Sequence, residues 1–177
     1  EASLAKWIKH FIAKSGGRAF VLFTSYKLMQ RTSELLKDFF EGESLTLLVQ
    51  GQGSSRGQLI EAFKEEETSV LFGTDSFWTG VDVPGKALTN VIITRLPFAV
   101  PDHPLTQARL EHIEEHGGNS YMQYTVPEAI LKLRQGVGRL IRSGEDEGMV
   151  VLLDNRILSK RYGKLFLDAL PDAPVEI

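Results

Sequence analysis

The run Ala19-Phe20-Val21-Leu22-Phe23 is apolar at every position, and Thr24, Ser25 and a segment of helical periodicity follow it directly. A strand without alternation has no face to show to water, so it belongs inside a parallel sheet covered on both sides. Parallel neighbours require crossover connections, and the chain places amphipathic segments between its apolar runs. Ahead of the run, Leu4, Trp7, Ile8, Phe11 and Ile12 recur at helical spacing, and Ser15-Gly16-Gly17 closes that element as a glycine C-cap does. A second helix is expected from about Tyr26 to Phe40, N-capped by Ser25, with Leu28, Met29, Leu36, Phe39 and Phe40 inward. Further strands are expected at 45–49, 70–72, 90–94 and 149–153, the fourth following a turn at Pro84-Gly85. Helices are expected around Leu59, Ile60 and Phe63, from about Leu105 to Glu115, and from about Ile157 to Leu170.

This alternation implies an α/β fold, an open and mainly parallel sheet with helices on both faces. Ligands of such sheets sit outside the carboxyl ends of the strands. Thr24-Ser25, Gln50-Gly51, Thr74-Asp75 and Arg95 all fall at predicted carboxyl ends. Gln50 to Gly57 reads as a flexible loop. From Leu96 to Tyr124 the pattern lapses, and residues 97–126 read as an insertion in what is otherwise a single domain covering residues 1–177. A length of 177 residues with 42% hydrophobic content suffices for one full core.

A helix expected from Pro127 to about Ser143 carries Gln135-Gly136-Val137-Gly138-Arg139-Leu140-Ile141-Arg142 near its end. At helical spacing Gln135, Gly138, Arg139 and Arg142 share one sector, opposite Ile130, Leu133, Val137, Leu140 and Ile141, while Leu131 breaks the pattern. Two guanidinium forks a turn apart, beside glycine that permits close approach, suit an oriented anion such as phosphate. A merely solvated face would gain nothing from the interior glycines, each of which costs about 1 kcal/mol against alanine.

Gln-x-x-Gly-Arg-x-x-Arg resembles motif VI of superfamily 2 helicases, and the string QGVGRLIRS is similar to the version in DinG-like relatives of the XPD helicases. GTDSFWTGVDVPG resembles motif V of the same family, and the likeness extends through MVVLLDNRI. The resemblance implies a RecA-like fold of the P-loop NTPase kind, the second motor domain (helicase domain 2) of an ATP-driven DNA helicase moving 5′ to 3′. It implies that Arg139 and Arg142 reach the γ-phosphate of ATP held by the N-terminal RecA-like domain of the same protein. Gln135 would position the phosphate or the attacking water, and Gly80, Asp82 and Gly138 would lie near the nucleotide. Thr74 offers a hydroxyl and an N–H to a phosphate of single-stranded DNA, as the motif V threonine does. Thr24 and Ser25 resemble motif IV, and Gln50 and Arg56 are further candidates for backbone contact. Trp78 stands level between stacking on a base and packing in the core, whereas Phe77 is expected in the core. Thr79 occupies a place where relatives in this family usually carry an acidic residue.

The chain carries no acceptable Walker A lysine, so ATP and magnesium are expected in the full-length enzyme and not on this fragment alone. Gly80 to Ala87 nearly spells a P-loop, but Ala87 cannot coordinate magnesium and a strand follows where a helix is needed. His112-Ile113-Glu114-Glu115-His116 matches H-x-x-E-H, yet nothing marks a third ligand, and it reads as a solvated helix end with no metal. With no cysteine, disulfides, thiolate metal sites and iron–sulfur clusters are excluded within these residues. No apolar run is long enough to span a bilayer and the first residues are not a signal peptide, so a soluble, cytoplasmic protein with no membrane partner is expected. A chain opening on Glu1 suggests an excised piece of a longer one. A net charge of −3 and pI near 5.8 require any DNA contact to use a local basic strip. The alternative reading is a RecA-like nucleotide-binding or regulatory module without motor activity. A small-molecule enzyme on a doubly wound sheet is disfavoured by the lack of G-x-G-x-x-G after the first strand.

Overall fold

The computed structural model describes residues 1–83, 86–100, 103–138, 140 and 147–177. The chain divides into two compact units, one formed by 1–95 with 135–154 and the other by 96–134 with 155–177. Residues 97–126 lie in the second unit.

The first unit is built on strands β1 (Ala19–Leu22), β2 (Thr46–Val49), β3 (Ser69–Gly73), β4 (Asn90–Ile93) and β5 (Met149–Leu152). Their spatial order is β2-β3-β1-β4-β5, and every pairing among them is parallel. β1 sits at the centre, with Ala19 opposite Val70 on one side and Asn90 on the other, and Leu22 opposite Gly73 and Ile93. β1, β3 and β4 are buried along their whole length, as continuous apolar runs demand, while the edge strands β2 and β5 are only partly covered.

Side chains alternate between two covered faces. Val21, Phe23, Val70 and Phe72 meet helices α1 (Ala2–Ser15), α2 (Tyr26–Leu35) and α3 (Lys37–Gly42) through Ile8, Ile12, Met29 and Phe40. On the opposite face Phe20 meets Phe63 of α4 (Arg56–Glu65), ring centroids 4.6 Å apart. Gly16 ends α1 in the left-handed conformation (φ 66°), as its C-cap position predicts. Trp7 of α1 is exposed and stacks on Phe11 instead of pointing inward.

Three elements differ from expectation. The helix expected over 26–40 is two helices broken at Leu36, which still buries all five apolar residues assigned to it. The expected last helix is split into α8 (Arg156–Ser159) and α9 (Gly163–Asp168), with Gly163 so close to the Ile157 carbonyl that a Cβ would lie 2.0 Å from it. The loop expected over 50–57 ends early, because a capping box at Ser55 and Gln58 starts α4 at Arg56.

The second unit holds α6 (Pro104–Glu115), a π-turn at Tyr121–Thr125 and most of α7 (Val126–Val137), together with α8 and α9. Phe98, Tyr121, Tyr162 and Phe166 form an aromatic cluster, and the Arg156 guanidinium lies 5.2 Å above the Phe98 ring. His112 on α6 and His116 at its C-cap are exposed, with ring centroids 4.2 Å apart.

Gly73 ends β3 where a short helix, α5 (Asp75–Trp78), turns Phe77 back over it; a Cβ on Gly73 would lie 2.6 Å from Phe77 Cβ. Gly73→Ala is therefore expected to destabilise the chain by about 1–3 kcal/mol through overpacking, seen as a Tm lowered by several degrees in calorimetry.

Candidate functional site

The parallel register brings the carboxyl ends of the strands to one edge of the sheet, so Gln50 after β2, Thr74 after β3, Thr24 and Ser25 after β1, and Arg95 after β4 follow the strand order. Thr24 is exposed and Ser25 half-buried; Ser25 Oγ accepts from the Leu28 N–H at 3.3 Å and caps α2 as its position predicts. Lys27, Arg56 and Arg95 are exposed on this side of the chain and supply local positive charge in a chain that is acidic overall.

Gln50 and Thr74 come into direct contact. The Gln50 side-chain carbonyl accepts from the Thr74 N–H at 2.7 Å and from the Thr74 hydroxyl at 2.9 Å, and its amide donates to Ser76 Oγ at 3.3 Å. The two donors of Thr74 that suit a phosphate oxygen thus already converge on one oxygen. Ser76 was not legible as a member of this group, because only the short helix α5 turns it toward Gln50. Gly51 (φ 85°) leaves room for Tyr26, whose hydroxyl would lie 1.9 Å from a Cβ placed there.

Arg56, at the first position of α4, donates through Nη2 to the Thr79 carbonyl and to the Gly80 carbonyl, each at 2.8 Å. Its guanidinium also lies 5.9 Å from the Phe77 ring centroid. Gly80 takes a left-handed φ of 64° and is exposed, as is Asp82 two residues on.

Trp78 requires a correction. It is 0% exposed and its indole N–H donates to the Phe23 carbonyl at 3.1 Å, so no ring face is open to a base. A buried indole needs a partner for its N–H and a flat neighbour for its ring, and Gly136 supplies the second: a Cβ there would lie 2.9 Å from Trp78 Cε3. Gly136 therefore admits the chain's own tryptophan. Phe77 is also fully buried, as expected.

α7 buries Val126, Ala129, Leu133 and Val137 and leaves Gln135 exposed, with Leu131 49% exposed where the sequence pattern breaks. Among the described residues the helix runs to Val137, and its expected end near Ser143 lies outside them; Gly138 and Leu140 are in a turn closed by Leu140 N–H on the Val137 carbonyl at 2.9 Å. Two glycines in three residues lower the helical preference enough for that turn to win. Gly138 is exposed, Leu140 is buried, and Arg139 and Arg142 lie outside the described residues, as does the turn at Pro84-Gly85. Among the described residues no three His, Cys, Asp or Glu side chains group as metal ligands, and no helix is long and apolar enough to cross a membrane.

Gln50→Ala removes the acceptor shared by the Thr74 N–H and hydroxyl. With each such bond worth about 0.5–1.5 kcal/mol, the Thr74 amide is expected to exchange hydrogen about 2- to 10-fold faster, measured by NMR or mass spectrometry.

Residues 8–173 match the family described as the helicase C-terminal domain. The chain is 43% identical over 97% of its length to a Bacillus subtilis protein named 3'-5' exonuclease DinG, of which it covers 18%. It is 46% identical over 97% of its length to the Haemophilus influenzae ATP-dependent DNA helicase YoaA, and 48% identical over 85% to the Photobacterium profundum ATP-dependent DNA helicase DinG, covering 26% and 22% of those proteins. The chain thus spans about a fifth to a quarter of these curated relatives. Among solved structures, one described as an XPD helicase superposes with TM-score 0.66 at 21% identity, over 93% of this chain and 29% of that one. Mss116p bound to ssRNA and AMP-PNP superposes with TM-score 0.59 at 20% identity, over 97% and 28%. These likenesses make the fold of the parallel sheet RecA-like. With the family matched from residue 8 to residue 173, the chain belongs to the helicase C-terminal domain family, among relatives named DinG and YoaA.

Proposed function

We propose that this chain is the second motor domain of an ATP-dependent DNA helicase that moves 5′ to 3′. In this reading it supplies half of an ATP site and part of a single-stranded DNA track. The observation that carries the reading is the convergence of Thr74 and Gln50 beside Thr24 and Ser25 at adjoining strand ends, in a chain of the helicase C-terminal domain family. Thr74, whose N–H and hydroxyl donate to the Gln50 side-chain oxygen at 2.7 and 2.9 Å, would take a DNA phosphate in place of that oxygen, and Thr24, Ser25 and the displaced Gln50 would hold the neighbouring backbone without reading sequence. Arg139 and Arg142 would meet the γ-phosphate of ATP with its magnesium, held by the N-terminal RecA-like domain of the same protein, and Gln135, Gly80, Asp82 and Gly138 would complete the nucleotide side. Such arginines neutralise charge only as the bond to the leaving group breaks, and they raise turnover by about 10³ to 10⁵ in P-loop enzymes. Residues 97–126 would be an insertion in this motor domain. A cytoplasmic location would fit this reading.

Two experiments test the reading. Arg142→Ala in the full-length protein is expected to abolish DNA-stimulated ATP hydrolysis while changing nucleotide affinity only modestly; normal turnover would remove the finger assignment. The isolated chain is expected to show no ATPase activity, and hydrolysis that co-purifies with it through successive columns would contradict the division of the site between two domains.

A further inference from the structure

We infer that Arg56 is a positioning residue: its guanidinium ties the first turn of α4 to the backbone of Thr79 and Gly80 and holds the 79–82 loop in shape, instead of meeting a DNA phosphate. The consequence for turnover rests on the reading of Gly80 and Asp82 as nucleotide-side residues; the brace itself does not.

The geometry carries the inference. One nitrogen, Nη2, reaches two successive carbonyls at 2.8 Å each, so both of its hydrogens are used on the loop. Successive carbonyls turn toward the same donor only if the peptide between them rotates, and Gly80 allows it with φ 64°, a conformation that side chains resist. A Cβ on Gly80 would also lie 3.3 Å from that same nitrogen, so glycine and guanidinium fit one another. The other end of the brace is equally constrained. Ser55 Oγ accepts from the Gln58 N–H at 3.3 Å and Gln58 Oε1 accepts from the Ser55 N–H at 2.8 Å, which sets where α4 begins and hence where Arg56 points. The Phe77 ring lies 5.9 Å from the guanidinium carbon. Gln50 holds the start of the same segment at Thr74, so Gln50 after β2 and Arg56 at the start of α4 grip the stretch 74–80 at two points.

The test uses the full-length protein with Arg56→Ala and Arg56→Lys, read by hydrogen exchange, by single-stranded DNA binding across a salt series, and by ATP turnover at saturating DNA. Arg56→Ala is expected to speed exchange of the 79–83 amides several-fold while β1 and β3 amides keep their protection. The salt slope of DNA binding should stay unchanged, and kcat should fall by up to about 100-fold, the loss that a misplacement of about 1 Å can cause. Arg56→Lys keeps the charge but ends in a shorter reach, so it should share the local exchange defect; this variant decides the matter if the alanine form unfolds. Unchanged exchange over 79–83 in both variants would overturn the brace, as would a lysine variant that behaves as wild type. A salt slope shallower by about 0.7, the signature of one lost phosphate contact on a single strand, would return Arg56 to the DNA track. A wild-type protein without ATPase or DNA binding would defeat the helicase reading alone, since the exchange experiment judges the brace without either activity.

Discussion

β1 is hydrogen-bonded in parallel to β3 on one side and to β4 on the other, and the rest of the first unit depends on that double pairing. Because all five strands run the same way, every loop that leaves a carboxyl end emerges at one edge. Residues far apart in the chain, Ser25, Gln50 and Thr74, are thereby collected without any of them contributing to the core. The covering helices let the central strands stay apolar throughout, and this is why the polar groups of the site stand just past the strand ends and not within them.

The segment after β3 is held at several points. Phe77 and Trp78 are both buried, Trp78 is hydrogen-bonded to the Phe23 carbonyl, Gln50 holds Thr74, and Arg56 holds Thr79 and Gly80. Gly136 receives the Trp78 ring, so the glutamine-glycine stretch that resembles motif VI is joined to the segment that resembles motif V through an aromatic contact. A glycine at that point serves two requirements at once. It relaxes the end of α7, and it leaves the volume that an indole needs.

Residue type and spacing alone specified the α/β class, the central apolar strands, the Ser25 N-cap and the Gly16 C-cap, because each depends on a local pattern or on a preference that the backbone expresses within a few residues. The resemblance to the helicase family was legible for the same reason, since its motifs are contiguous strings. Tertiary structure decided the rest. It put Trp78 inside and turned Arg56 onto the carbonyls of residues 79 and 80. Neither follows from periodicity, because each is set by atoms of a segment distant in sequence: the Phe23 carbonyl for Trp78, the Gly80 backbone for Arg56. Hydrogen-bond donors find their acceptors only after the sheet has brought the strand ends together, and that long-range closure is what a linear pattern does not contain.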